Sequence, residues 1–419
     1  MAGFQWKARH TVLALLFTTW IVSYIDRMVM AVSIPYIAKD FHLSPVQMGV
    51  VMSAFFLGYA TCQIPGGILA DKFGAKKIMT AAIVWWSFFT AFTGMVSGLT
   101  SMLGIRVAFG VGEGMFPGGS WKSISNWFPV KERSTANAFM LSSNALGPAL
   151  APLFVVAVIA TWGWRAVFMS LFVPGLIVAV LIWMYIKYHP QDSKHVSAQE
   201  LAEIQSIEPE MKSGVKVTWF DCLKIWRVWQ CFMMWFTFDI TLWGFASWLP
   251  TYLVKARGFA LVTMGITASL PFFAGAAGLI FGGWLSDKWF QSSRKTPIII
   301  TQLMGAFCLY LTYTVTSPTK AVVYETLAGG FLYMGMGAFW ALPMSIIPKT
   351  VMGTASGLIN TAGQIAGFVS PIVIGYLVQI SGGSFNTAFM FLIAGTVLSS
   401  AITVSVREKK KTALAASAT

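Results

Sequence analysis

Charge is what this sequence has little of. Only 11% of its 419 residues are Asp, Glu, Lys or Arg, against roughly 25% in a soluble domain, while 56% are hydrophobic. A water-soluble globule is excluded. The four histidines, His10, His42, His189 and His195, all fall outside the long apolar runs, so no histidine proton relay inside a membrane is available. The four cysteines, Cys62, Cys222, Cys231 and Cys308, have neither metal-ligand nor redox spacing and read as unpaired thiols. No asparagine begins an N-x-S/T sequon, which favours a bacterial inner membrane over a glycosylated cell surface. P-loop, G-x-S-x-G and H-E-x-x-H patterns are all missing, so the sequence points to no enzyme, no metal and no cofactor.

What is present is a series of twelve apolar runs of about 20 residues, near 12–34, 46–70, 78–98, 101–121, 135–160, 165–187, 229–253, 263–286, 297–316, 321–346, 354–379 and 384–406. The first is too long for a secretory signal, carries Asp26 and Arg27 and lacks an A-x-A site, so it reads as a retained helix. The net charge of +14 does not describe a nucleic-acid surface. With both termini in the cytoplasm, most of the Lys and Arg residues fall on the cytoplasmic side, the positive-inside distribution of a multi-pass membrane protein.

Between the sixth and seventh runs, "HPQDSKHVSAQELAEIQSIEPEMKSGVK" restores Asp and Glu. It reads as a cytoplasmic linker, with Ser197 and Glu200 spaced as a capping box for a surface helix. The expected organisation is a six-helix half at 1–187, a linker at 188–228, and a second six-helix half with a basic tail at 229–419. "GGILADKF" at 66–73 and "GGWLSDKWF" at 282–290 end the second and eighth runs, so the halves repeat in parallel orientation. That is a known transporter plan, with its substrate site near the midplane. The fold class is therefore an all-α membrane protein of twelve transmembrane helices in two pseudo-symmetric halves.

"GILADKFGAKK" at 67–77 resembles the signature loop of the major facilitator superfamily, and the twelve runs agree with it. "YIDR" at 24–27, "RVAFGVGEG" at 106–114 and "NWFPVKERS" at 126–134 resemble the anion:cation symporters, a group that includes galactonate, glucarate and hexuronate carriers and vesicular glutamate and sialic acid transporters. The resemblance implies a monomeric carrier that imports a small organic anion with protons.

The charges inside the runs carry the chemistry, because ionisable groups in a membrane are costly to keep. Arg106 and Glu113 are seven residues apart and share a helix face, but stand about 10 Å apart along the axis, too far for a direct ion pair. Each needs another partner. Asp26 and Arg27, halfway along the first run, are candidates, and the four charges sum to zero. An incoming anion adds uncompensated negative charge, which protonating one carboxylate cancels, so proton coupling follows from charge balance. Arg106 or Arg27 would bind the substrate carboxylate through the planar guanidinium fork. In the galactonate-type carriers the residues matching Asp26 and Glu113 are the protonated ones. The competing account is a static ion-pair network that locks two helices.

Tyr24, Tyr59, Asn144, Asn360 and Gln364 are further polar candidates for the substrate region. The resemblance implies substrate contact for Tyr59 and for Asn144, where the family has glutamine. Asn360 and Gln364 share a helix face. Asp239, in "WFTFDITLWGF", either accepts hydrogen bonds from substrate hydroxyls or pairs with a neighbouring helix. Glu325 and Lys122 lie near run ends and are expected to snorkel to water. Asp71 with Lys72 and Lys76, and Asp287 in the second repeat, resemble the family's cytoplasmic gate. Gly353 with Gly357 and Gly363 with Gly367 fit small-residue helix packing, and Gly147–Pro148 can break the fifth helix. Taken together, the sequence predicts a proton symporter for a sugar acid. An aromatic carboxylate is the alternative cargo, and a non-transporting membrane sensor is the alternative class.

Overall fold

The computed structural model describes residues 5–205, 222–348 and 351–408, and all the regular elements among them are helical. The first six are α1 (Ala8–Phe41), α2 (Pro45–Phe73), α3 (Ala75–Thr93), α4 (Leu99–Trp127), α5 (Val130–Leu141) and α6 (Ser143–Tyr185). In the linker stands α7 (Ala198–Ile204). It is followed by α8 (Trp226–Lys255), α9 (Leu261–Lys288), α10 (Lys295–Thr314), α11 (Pro318–Phe339), α12 (Ala341–Ile346), α13 (Met352–Ile380) and α14 (Asn386–Ser405).

At 43 residues, α6 would be about 65 Å long if straight, more than a bilayer of about 45 Å can hold. It is two helices joined at Gly163, whose φ of 78° interrupts the helix and is readily adopted by glycine alone. The fifth pass thus runs through α5 into the first part of α6, and the sixth is the remainder. Among the described residues, eight helical stretches are long and apolar enough to cross a membrane, with Val130–Tyr185 counted once although it covers two passes. The remaining passes are α3, α4 and α8, whose tryptophans, threonines, glycines and buried charges lower their mean hydropathy. Twelve passes result, as the sequence predicts. The break expected at Gly147–Pro148 is not there: Pro148 lies inside the helix, and Gly147 serves close approach, since a Cβ on it would strike the Cβ of Tyr24 on α1.

By contacts the chain forms two units that cut across the sequence halves. One contains Met1–Lys212 together with Ala246–Ser269 and Gly367–Phe385. The other contains Ser213–Phe245, Leu270–Ala366 and Asn386–Thr419. In the first unit the later segments are held by backbone: Trp248 Nε1 donates to the Pro371 carbonyl at 3.1 Å, and that carbonyl lies against Gly49 of α2. In the second unit α10 and α14 are bridged by Gln302, which donates to Ser399 at 3.1 Å and accepts from Ser400 at 2.9 Å. Thr396 donates to Thr241 at 2.8 Å. Such bonds between helices contribute about 0.6–2 kcal/mol each where water is absent.

In the first unit α2 and α4 approach closely. A Cβ on Gly58 would strike the Val107 carbonyl, one on Gly110 the Phe55 carbonyl, and one on Gly114 the Tyr59 carbonyl. Small residues let the two backbones touch, and this brings the polar face of α4 against the aromatic face of α2. Of the glycine pairs expected on α13, Gly353 and Gly357 face no neighbour within 4 Å among the described residues, so no packing seam is seen there. Gly363 and Gly367 face side chains, respectively Asp239 with Trp235 and Phe56.

The linker helix is anchored. Ser197 caps it by accepting from Glu200 N at 3.1 Å, half of the expected capping box. The other half is absent, because the Glu200 carboxylate turns away to accept from the backbone of Ala8 and Arg9 at 3.1 and 2.9 Å. It thereby caps the start of α1, where a negative charge meets the positive end of the helix dipole. Glu203 completes the clamp with Lys7 at 2.6 Å and Arg9 at 2.9 Å.

Candidate functional site

Seven of the predicted coupling and substrate-binding residues, Tyr24, Asp26, Arg27, Tyr59, Arg106, Glu113 and Asn144, belong to the first unit. All but Asn144, which is half-buried, are buried. The partner that Glu113 needs is on α1: Arg27 Nε donates to Glu113 Oε2 at 2.6 Å. The Arg27 guanidinium lies over three rings, at 5.0 Å from Tyr24, 5.0 Å from Phe55 and 4.6 Å from Tyr59. A cation held over aromatic faces is attracted by their quadrupoles. Asn144 Nδ2 donates to the Tyr24 hydroxyl at 2.9 Å, and Trp20 stacks on the Tyr24 ring at 5.6 Å.

The other two charges are not consumed in this way. Asp26 is 1% exposed and Arg106 2%, yet among the described residues neither carboxylate oxygen of Asp26 accepts a hydrogen bond and the Arg106 Nε donates none. Arg106 lies 4.6 Å over the Phe109 ring and 5.6 Å from that of Phe55. Asp26 is within coulombic reach of Glu113, Arg106 and Arg27, so the four form one electrostatic cluster. Chemically it can do two things. Arg106 offers an uncommitted guanidinium fork to a carboxylate or sulfonate, and a proton arriving on either acid alters the cluster's net charge by one.

Asp239, Asn360 and Gln364 belong to the second unit and are described within it. Asp239 is 4% exposed. With Trp235 it packs over Gly363, where any side chain would collide with both. Its Oδ1 and the Gln364 Oε1 accept no hydrogen bond among the described residues. The neighbouring-helix partner that would have made Asp239 a packing device is therefore not seen at Oδ1. The Trp235 ring packs at a tilt against Phe339 at 4.3 Å and Trp340 at 5.4 Å.

The signature loops use partners that the sequence reading missed. Asp71 pairs with Lys122 of α4 at 2.8 Å, whereas Lys76 lies 4.1 Å over the Trp183 ring and Lys72 lies 5.3 Å from that of Phe73. Lys122 does not simply snorkel to water. Asp287 pairs with Arg294 at 2.6 Å. Glu325 departs from its expectation more sharply: it is fully buried, at 0% exposure. Phe55 and Phe109 were also missed. Their signal was available, because Phe55 is one turn from Tyr59 and Phe109 one turn from Arg106.

The family model described as Major Facilitator Superfamily matches residues 16–371. A Cupriavidus necator protein named "Probable sulfoacetate transporter" is 33% identical over 401 residues, covering 94% of this chain and 92% of that one. The hexuronate transporter of Bacillus subtilis is 30% identical, covering 93% and 92%. The D-galactonate transporter of Escherichia coli is 31% identical, covering 93% of each. Among solved structures, a D-xylose-proton symporter superposes with a TM-score of 0.78 at 16% identity over 96% of this chain and 98% of that one. A bacterial homologue of the lysosomal transporter Spinster, inward-facing, gives 0.76 at 20% identity over 96% of each. These two likenesses concern the fold.

Proposed function

The chain belongs to the Major Facilitator Superfamily, and on that premise we propose that this membrane transporter imports a small organic anion together with protons by alternating access. It is a carrier and not an enzyme. The preferred cargo is a sugar acid such as a galactonate, glucarate or hexuronate, in keeping with what the hexuronate and D-galactonate transporters are named for. The observation that carries the reading is the buried Arg27–Glu113 pair at 2.6 Å beside an Asp26 carboxylate and an Arg106 Nε that make no hydrogen bond among the described residues. A static network that locked α1 to α4 would have paired all four charges.

In this reading Arg106 takes the substrate's anionic group. Its arrival adds a negative charge to a neutral cluster in a low-dielectric setting, which favours protonation of Asp26 or Glu113. Protonating Glu113 loosens its hold on Arg27, which then becomes a second cation for the anion. Tyr24, Tyr59 and Asn144 supply hydrogen bonds to substrate hydroxyls, and within the second unit Asp239, Asn360 and Gln364 are further polar candidates for substrate binding. The protein functions as a monomer in the bacterial inner membrane with both termini in the cytoplasm, and Asp71, Lys72, Lys76 and Asp287 belong to the cytoplasmic gate.

The test is purified protein in liposomes loaded with a pH-sensitive dye, given galactonate, glucuronate, glucarate, sulfoacetate and 4-hydroxyphenylacetate in turn. Internal acidification with one acid, absent from protein-free liposomes, supports symport and selects the cargo. No acidification with any of them, from folded and inserted protein, sinks the proposal.

A further inference from the structure

Away from the charged cluster, the outer face of α3 carries a groove of about 640 Å³. Its lining includes Lys77, Ala81, Trp85, Phe88 and Phe92, with Trp183 of α6 at the Lys77 end. These α3 positions recur every three or four residues and so form one stripe along the helix. From Lys77 to Phe92 it runs about 22 Å, longer than the roughly 15 Å depth of one leaflet's hydrocarbon. Trp85, Phe88 and Phe92 are 46%, 43% and 40% exposed, although their rings are held in place. Trp85 Nε1 donates to the Ala108 carbonyl at 2.8 Å, and Phe88 packs on Phe172 at 5.0 Å. Trp85 and Phe88 thus present fixed ring faces to the groove.

Positive charge gathers at one end only. The Lys76 ammonium sits 4.1 Å over the Trp183 ring, and Lys187 approaches it closely enough for the two cations to repel. Among the described residues none of Lys76, Lys77 and Lys187 forms an ion pair, and the nearby Asp71 is taken by Lys122. Like charges packed together at the membrane surface without a counter-ion call for an anion, and basic clusters at this level attract acidic lipid headgroups.

We propose that this groove is a binding site for an anionic phospholipid of the leaflet on the side of the chain termini, with its phosphate between Lys76, Lys77 and Lys187 and one acyl chain along the α3 stripe. Cations confined to one end of an otherwise apolar channel match an amphiphile with a single charged head. A helix from a second copy would bring no such concentrated negative charge.

Native mass spectrometry of the full chain released from detergent micelles tests this, using phosphatidylglycerol and phosphatidylcholine with identical acyl chains. Retention of one phosphatidylglycerol with at least tenfold preference is expected. Lys76→Gln/Lys187→Gln should abolish the preference, and Ala81→Trp, which fills the groove but keeps the lysines, should lower retention of the lipid. Lys194→Gln, a charge change elsewhere in the linker, should retain the preference. Equal retention of the two lipids by the unaltered protein would overturn the proposal, as would an undiminished preference in the double variant. Binding of free glycerol phosphate as tight as that of the lipid would show that the acyl groove is not used. A dimer that disappears in Ala81→Trp would assign the groove to a second copy.

Discussion

Replacing Glu113 by Gln probes the one buried ion pair of the cluster. The pair joins Arg27 Nε to Glu113 Oε2 at 2.6 Å, with side chains 5% and 0% exposed. With charge centres about 4 Å apart, an effective dielectric of 20 gives roughly 4 kcal/mol of attraction. Removing one partner of a buried pair costs about 3–5 kcal/mol. Glutamine retains a neutral acceptor, and exchanging a charge-assisted bond for a neutral one loses about 1–1.5 kcal/mol. The three rings around Arg27 offset part of the remainder. The expected loss is about 2–3 kcal/mol, which in terms of Arg27 being held by position 113 is roughly 30- to 150-fold. Because Glu113→Gln mimics the protonated carrier, it should keep counterflow exchange of labelled substrate and lose accumulation driven by an imposed pH gradient. Proteoliposome uptake with and without the gradient, beside a thermal melt of the same protein, measures both. A variant as stable as the parent that still accumulates substrate against its gradient would refute the reasoning.

Other outcomes follow from the same geometry. Asp26→Asn breaks no observed hydrogen bond, so it should still fold and insert but lose proton-driven uptake; retained uptake would remove Asp26 from coupling. Gly110→Ala places a methyl against the Phe55 carbonyl and should cost about 1–3 kcal/mol in a thermal melt while weakening substrate affinity, since it pushes Phe55 and Tyr59 away from Arg27. Outside the membrane, hydrogen bonds from Lys7 and then Arg9 hold the Glu203 carboxyl below the usual carboxylate range. With the folded value below the unfolded one, the clamp's contribution is complete above the ordinary glutamate value of about 4.3 and is lost as pH falls through the depressed folded value. Hydrogen-exchange protection in Ala198–Ile204, corrected for the intrinsic pH dependence of exchange, should therefore stay constant from pH 8 to about pH 5 and fall in stronger acid, whereas Glu203→Gln should lower it above about pH 5 and leave it unchanged in strong acid.

The passes and the buried charges were legible in the sequence because a bilayer imposes a local rule. Every pass must be a long, largely apolar helix, so apolar runs of about 20 residues mark the passes in the sequence and any charge within one stands out. The same local reading showed that Arg106 and Glu113 could not pair with each other, since helix geometry fixes the distance between positions 106 and 113. It did not show which residue of α1 answers Glu113, because Asp26 and Arg27 are adjacent and the rotation of α1 against α4 depends on packing. Glycines at 110 and 114 and at 58 were visible letters with the spacing of a helix contact, yet only the assembled pair revealed that they seat Phe55 and Tyr59 against the arginines. Gly363 similarly read as a packing residue and proved to be the floor beneath Asp239 and Trp235. The linker's Glu200 read as a local cap and instead caps α1, about 190 residues away along the chain, a distance over which no periodicity carries information. The sequence by itself determined the membrane class, the helix count and the roster of charges. The tertiary structure decided which charges pair and which remain open to a substrate, because pairing depends on how helices distant in sequence are rotated and pressed together.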